Sequence, residues 1–131
     1  VRPEAKPFRP EEVDRLFSSH VEPLPHAKSN AGFLCVFFDP AAEWRCQIGS
    51  CKNVSERLGN ARCFAPDMVC LAHFFCPDTE VAMVHVRRLM AEHGISPLSQ
   101  ESEWWWCHPF NAIVACSRVC GAFSTIHEKL Q

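Results

Sequence analysis

The most regular pattern of apolar and polar positions lies near the C-terminal end of the chain. After Pro109, positions of one helical face recur at intervals of three and four residues: Ala112, Ile113, Cys116, Val119, Cys120, Phe123, Ile126, His127 and Leu130. Proline suits the first turn of a helix because an N–H at that position has no intrahelical partner. The pattern therefore predicts an amphipathic helix over about 109–130.

Two further helices are predicted upstream. Five apolar residues share one face of a helical wheel: Ala82, Met83, Val86, Leu89 and Met90. Asp78 or Thr79 can cap this helix and Gly94 can end it, which predicts a helix over about 79–93. A shorter helix is predicted over 10–20, where a proline and two glutamates open an apolar stripe.

Strand signals fill the middle of the chain. Residues 32–38 (GFLCVFF) form an uninterrupted apolar run, which is typical of a strand buried on both faces. Trp44, Cys46 and Ile48 then alternate with polar residues, and Gly49 is expected to end this second strand of a hairpin. Strand composition recurs at 68–75 and at 104–107, and a single helical turn is predicted at 55–59.

These elements indicate an α+β fold in which a small antiparallel sheet packs against the two longer helices, about 79–93 and 109–130. A chain of 131 residues, 47% of them hydrophobic, fits a single domain over 1–131 with a core of its own. Residues 1–9 are rich in proline and charge, so we expect them to form an extended arm.

Net charge and hydropathy limit the kinds of partner molecule that we expect the protein to bind. Thirteen basic and fifteen acidic residues give a net charge of −2, which provides no overall field that would attract a polyanion. Phosphate-binding glycine motifs are absent, and no apolar run is long enough to span a membrane. A local basic face that binds nucleic acid stays open as an alternative, drawn from seven basic residues: Arg45, Lys52, Arg57, Arg62, Arg87, Arg88 and Arg118.

Cysteine is the most unusual component, with nine residues, five of which lie between positions 46 and 76. The spacing Cys63-x6-Cys70-x2-His73-x2-Cys76 predicts one structural zinc ion, because zinc binds thiolates and imidazoles tetrahedrally. In a regular strand Cys70 and His73 would point to opposite faces, so these ligands meet only if the backbone bends. Otherwise, the alternate ligands Cys46 and Cys51 enter the set.

Two other states of the cysteines stay open, namely buried free thiols and disulfides. Seven histidines, together with cysteines at core positions of the predicted elements, favour a reducing, intracellular location in the cytoplasm or nucleus. Cys107 is the one candidate nucleophile, since it precedes the long helix whose N-terminus would stabilise a thiolate. No motif marks a histidine as its base.

The tryptophan triplet Trp104, Trp105 and Trp106 is the best candidate for a partner-binding surface, because aromatic residues are enriched in protein interfaces. Our first functional hypothesis is a zinc-stabilised, non-catalytic domain that mediates protein–protein interaction in an intracellular regulatory process. The alternatives are a cysteine-dependent enzyme that uses Cys107 and a zinc-dependent nucleic-acid-binding domain. The sequence predicts no membrane association.

Overall fold

A four-stranded sheet forms the centre of the protein in the computed structural model, which describes residues 6–26, 28–42, 45–100 and 102–121. The strands are β1 (Gly32–Phe38), β2 (Cys46–Cys51), β3 (Val69–Cys76) and β4 (Trp104–Trp105). Their order is β3-β1-β2-β4, and each neighbouring pair is antiparallel. The predicted antiparallel sheet of an α+β fold is confirmed, as is the hairpin formed by β1 and β2.

Among the described residues, four helices surround this sheet: α1 (Pro10–Phe17), α2 (Val54–Ala61), α3 (Thr79–Glu92) and α4 (Pro109–Cys120). Short 3₁₀ turns occupy Lys28–Asn30 and Pro40–Ala42. Helices α1, α3 and α4 contribute to the larger core on one face of the sheet, whereas α2 packs on the other face. Within the described part of the chain, none of the helices has both the length and the apolarity needed to cross a membrane.

The larger core joins α3 and α4 to the sheet. Leu34 and Val36 of β1 and Ile48 of β2 point into it and are fully buried. Helix α3 begins where the buried Asp78 carboxylate accepts hydrogen bonds from the N–H groups of Glu80 and Val81, both at 3.1 Å. Four of the five residues predicted for its inward face are fully buried, namely Ala82, Val86, Leu89 and Met90, whereas Met83 is half-buried at the edge of the core.

Helix α4 is shorter than its apolar period predicts. Gly121 follows Cys120 with a φ of 59°, a left-handed conformation that ends helices and that glycine adopts without strain. The remaining positions of the stripe, from 122 onward, lie outside the described residues. At the other end of α4, the buried Asn111 side chain accepts a hydrogen bond from the Phe8 N–H and donates one to the Lys6 carbonyl. This pair of bonds fastens the described part of the predicted arm to α4.

The smaller core lies between the sheet and α2, where Cys35, Phe37 and Met68 are buried. Strand β3 contains an irregularity here, because Val36 pairs with Ala72 but Phe37 pairs with Cys70. Leu71 is thus an extra residue, a β-bulge, and it shifts the side-chain alternation by one position. Cys70 and His73 therefore lie on the same face of the sheet, which they would not do in a regular strand.

Candidate functional site

A cleft of about 520 Å³ lies on the α2 side of the sheet, a size common for ligand sites in proteins. Its walls come from β2 and β4, from α2 and from the turn that follows α2. Polar and charged groups on these walls are Asp39, Arg45, Gln47, Arg57 and Asn60, and the apolar groups include Phe64, Met68 and Trp104. The cleft thus combines two guanidinium groups, two amides and two aromatic rings.

Arg57 is held rigidly at this cleft. Asn53 caps α2 by accepting a hydrogen bond from the Glu56 N–H, and the helix then presents Arg57 to the sheet. The Arg57 Nη1 group donates to the Ser50 carbonyl at 3.0 Å, and its Nη2 group donates to Glu103 Oε1 at 2.7 Å. Because both side chains are partly shielded from water, this pair is screened less than an ion pair on the open surface.

Glu103 is positioned by the pairing of β2 with the residues around β4. Its backbone carbonyl accepts a hydrogen bond from the Ile48 N–H at 2.9 Å. Its Oε1 atom accepts a second side-chain hydrogen bond, from Gln47 Nε2 at 3.3 Å, in addition to that from Arg57. The Glu103 carboxylate thus forms a small network with the guanidinium of Arg57 and the amide of Gln47, the two members that line the cleft.

Gly49 lies inside β2 rather than at its end, so the prediction that it ends the strand is wrong. A Cβ atom at this position would stand 2.6 Å from Arg57 Nη2, 3.0 Å from Arg57 Cζ and 3.4 Å from Glu103 Oε2. A side chain would thus occupy the space through which Arg57 reaches Glu103. Glycine is needed here because the Arg57 side chain lies close to the backbone, and not because the backbone has a conformation that other residues avoid.

The three tryptophans of the predicted partner surface have different environments. Trp105 is 1% exposed in the larger core, whereas Trp104 and Trp106 are half-buried. The guanidinium of Arg45 stacks over the Trp104 ring, 4.3 Å from its centroid, in a cation–π contact at the cleft. Of the three tryptophans, Trp104 therefore lines the cleft, whereas Trp105 packs in the larger core.

The four predicted zinc ligands are not brought together. Cys63 is exposed beyond the end of α2, Cys70 and His73 lie on the α2 face of the sheet, and Cys76 is buried on the opposite face. The alternates are divided too, because Cys46 belongs to the larger core and Cys51 packs on the smaller one. Among the described residues, His, Cys, Asp and Glu side chains form no group of three suited to a metal ion. Zinc binding stays a prediction.

Several buried and half-buried cysteines instead contact one another: Cys46 with Cys107, Cys35 with both Cys51 and Cys70, and Cys76 with Cys120. Sulfur atoms are 3.4 Å apart in the pair Cys46–Cys107 and also in the pair Cys35–Cys51. The hydrogen bond with Cys107 and burial raise the pKa of the Cys46 thiol, so this thiol is protonated at neutral pH. Cys107, the candidate nucleophile, is 4% exposed within the larger core, an environment typical of inert thiols.

Sequence reasoning did not find the network around Arg57. Arg57 was one of seven basic residues scattered along the chain, and Glu103 lies 46 positions away from it in the sequence. The only local signal was Gly49, since a glycine inside a strand can mark a close approach by another group.

Comparison of the chain with protein-family models, with curated proteins and with solved structures found no match. The function must therefore be argued from the chemistry of the site itself. The guanidinium, amide and aromatic groups described above lie together in the cleft.

The distribution of the cysteines predicts their reactivity. Of nine thiols, only Cys63 is exposed, so we expect one thiol per chain to react rapidly with an alkylating reagent in the native protein and nine to react in denaturant. Cys63→Ser should remove the rapid phase. Elemental analysis of the same sample tests the zinc prediction: one bound zinc together with a protected Cys63 would contradict the expected reactivity and support that prediction.

Because the Arg57 side chain lies close to Gly49, we expect substitutions at these two positions to have coupled effects on the free energy of unfolding. Gly49→Ala should destabilise the fold by about 1–3 kcal/mol, because the new methyl group displaces Arg57 from Glu103 and Ser50. In an Arg57→Ala background the same change should cost much less, which denaturant unfolding of the four proteins would measure.

Gly59→Ala is the matched control for this cycle. Gly59 lies in α2 with open space around its Cβ position, so alanine there should stabilise the helix by about 0.5–1 kcal/mol. Equal costs of Gly49→Ala with and without Arg57 would contradict the proposed contact.

Proposed function

We propose that this protein binds nucleic acid through the cleft beside α2. The observation that carries the proposal is the pair of arginines held at one cleft next to an aromatic ring. Arg57 is fixed by Ser50 and Glu103, and Arg45 lies over Trp104. Arginine binds phosphate through its planar set of N–H donors, and less conformational freedom is lost when the guanidinium is already oriented.

The other groups of the cleft suit the remaining parts of a nucleotide. The side-chain amides of Gln47 and Asn60 can donate to and accept from the edges of bases. The rings of Trp104 and Phe64 offer apolar surface of the kind on which bases stack. A phosphate, a sugar and a base together match a cleft with charged, amide and aromatic walls.

The charge of the cleft is balanced rather than strongly positive. Asp39 also lines it, and Glu103 offsets Arg57. With two arginines lining the cleft and contacting phosphates, we expect a small salt dependence: the slope of log K against log salt should be about −1.4 for a single strand. This modest slope distinguishes the proposal from a protein that neutralises a long stretch of backbone.

Titration of labelled single-stranded and duplex oligonucleotides, followed by fluorescence anisotropy, tests this proposal. We expect saturable binding that Arg45→Ala and Arg57→Ala each weaken by about tenfold or more, since a hydrogen bond to a charged group contributes about 1.5–3 kcal/mol. Circular dichroism of each variant would verify that its fold is retained.

Arg88→Ala is the matched control. Arg88 lies on α3, on the other side of the sheet, and pairs with Glu92 at 2.8 Å. Its loss should leave oligonucleotide affinity unchanged. If the wild-type protein binds no oligonucleotide, or if Arg88→Ala weakens binding as much as Arg57→Ala does, the cleft is not a nucleic-acid site, and interaction with a protein partner becomes the favoured function.

A second candidate function, hydrolysis of a phosphodiester, is favoured by the contact between Glu103 and Arg57. A carboxylate beside a bound phosphate can accept a proton from an attacking water molecule, while the guanidinium stabilises negative charge on the phosphoryl oxygens. The oxygen of that water forms a bond to phosphorus as the bond to one strand oxygen breaks, and the proton passes to Glu103. The leaving strand oxygen takes a proton from the solvent and departs as a hydroxyl group, and Glu103 then releases its proton to the solvent.

Glu103→Gln separates binding from hydrolysis. It keeps an oxygen that can accept from Arg57 and removes the basic carboxylate, so cleavage should fall by about a hundredfold or more. Binding should be retained or strengthened, because a negative charge next to the phosphate is lost. Gel analysis of labelled strands in a buffer with Mg²⁺ would measure this, and cleavage that survives in Glu103→Gln would contradict the role of Glu103.

A further inference from the structure

Phe64 is the most exposed of the large hydrophobic side chains described by the structure, with 94% of its surface open to water. It lies in the turn after α2 and lines the cleft. The N–H groups of Phe64 and Ala65 both donate to the Ala61 carbonyl, at 3.1 and 3.0 Å, so the backbone of this turn is tied to α2. An anchored backbone thus holds an aromatic ring in solvent beside the arginines.

Burial in the core does not account for this ring. The neighbouring apolar residues of the turn, Ala65 and Met68, pack on the smaller core, whereas Phe64 points away from it. The other aromatic side chain of the cleft, Trp104, already has the Arg45 guanidinium over one face. Phe64 is therefore the aromatic ring of this cleft whose faces are open to a ligand.

We propose that Phe64 is a stacking platform that makes the cleft selective for unpaired nucleotides over duplex. This inference rests on the proposed nucleic-acid function and specifies its substrate class. A base within a duplex is covered on both faces by its neighbours, whereas an unpaired base can place one face on an aromatic side chain. Arg45 and Arg57, on the same cleft, then hold the phosphates that flank the stacked base.

Competition between single-stranded and duplex oligonucleotides of the same sequence tests the inference. The wild-type protein should prefer the single strand, and Phe64→Ala should weaken single-strand binding by about 5- to 150-fold, the range seen when a stacking side chain is removed. Its affinity for duplex should change little, so the preference should decrease.

Two further variants show whether stacking is the cause. Phe64→Leu keeps an apolar side chain without an aromatic ring, so it should behave like Phe64→Ala, whereas Phe64→Trp should keep the preference. Phe17→Ala removes another exposed phenylalanine, from α1 on the other side of the sheet, and should have no effect. A fluorescent base analogue in the strand should be quenched by the wild-type protein and not by Phe64→Ala.

The outcomes distinguish the inference from the function on which it rests. Binding that depends on Arg57 but is unchanged in Phe64→Ala would overturn the stacking role and leave nucleic-acid binding intact. Equal wild-type affinity for single strand and duplex would overturn the selectivity. Failure of the wild-type protein to bind either oligonucleotide would overturn both.

Discussion

Strand β1 is the element whose burial the rest of the structure depends on. Leu34 and Val36 point into the core beneath α3 and α4, while Cys35 and Phe37 point into the core beneath α2, and all four are fully buried. The strand is also hydrogen-bonded on both edges, to β2 and to β3. Because residues 34–37 of β1 are covered on both faces and the strand is paired on both edges, its position fixes the two neighbouring strands and, through them, the walls of the cleft.

The cleft results from the unequal cover of the two sheet faces. In the part of the chain that the structure describes, three helices contribute to the larger core, whereas the eight-residue α2 is the one helix on the opposite face. Gln47 and Trp104, which are paired across β2 and β4 on that face, line the open region beside α2. Arg57 reaches from α2 across Gly49 to this region, and its partly shielded charge requires the oxygens of Ser50 and Glu103.

Local patterns predicted the elements well, because periodicity records which face of an element is buried. The inward face of α3 and the hairpin of β1 and β2 follow from the sequence alone. The bulge at Leu71 does not, since it arises from how β3 pairs with β1. The Arg57–Glu103 contact joins residues 46 positions apart, and no local pattern encodes such a pairing. The prediction that Gly49 ends its strand was wrong because a glycine can mark either the end of a strand or a point where another group lies close to the backbone.

The cysteines show that residues clustered along the sequence need not lie close together in the folded protein. Alternation along β2 sends Cys46 and Cys51 to opposite faces, and the bulge in β3 brings Cys70 to the face of Cys35 while Cys76 enters the other core. Their thiols are divided between two cores, where sulfur acts as a small, polarisable apolar group. Charged side chains cannot be accommodated in this way, because burial without partners is costly for them. Arg45 and Arg57 therefore line the cleft beside α2, and Glu103 lies next to Arg57, so the charged groups of this site stay partly open to water.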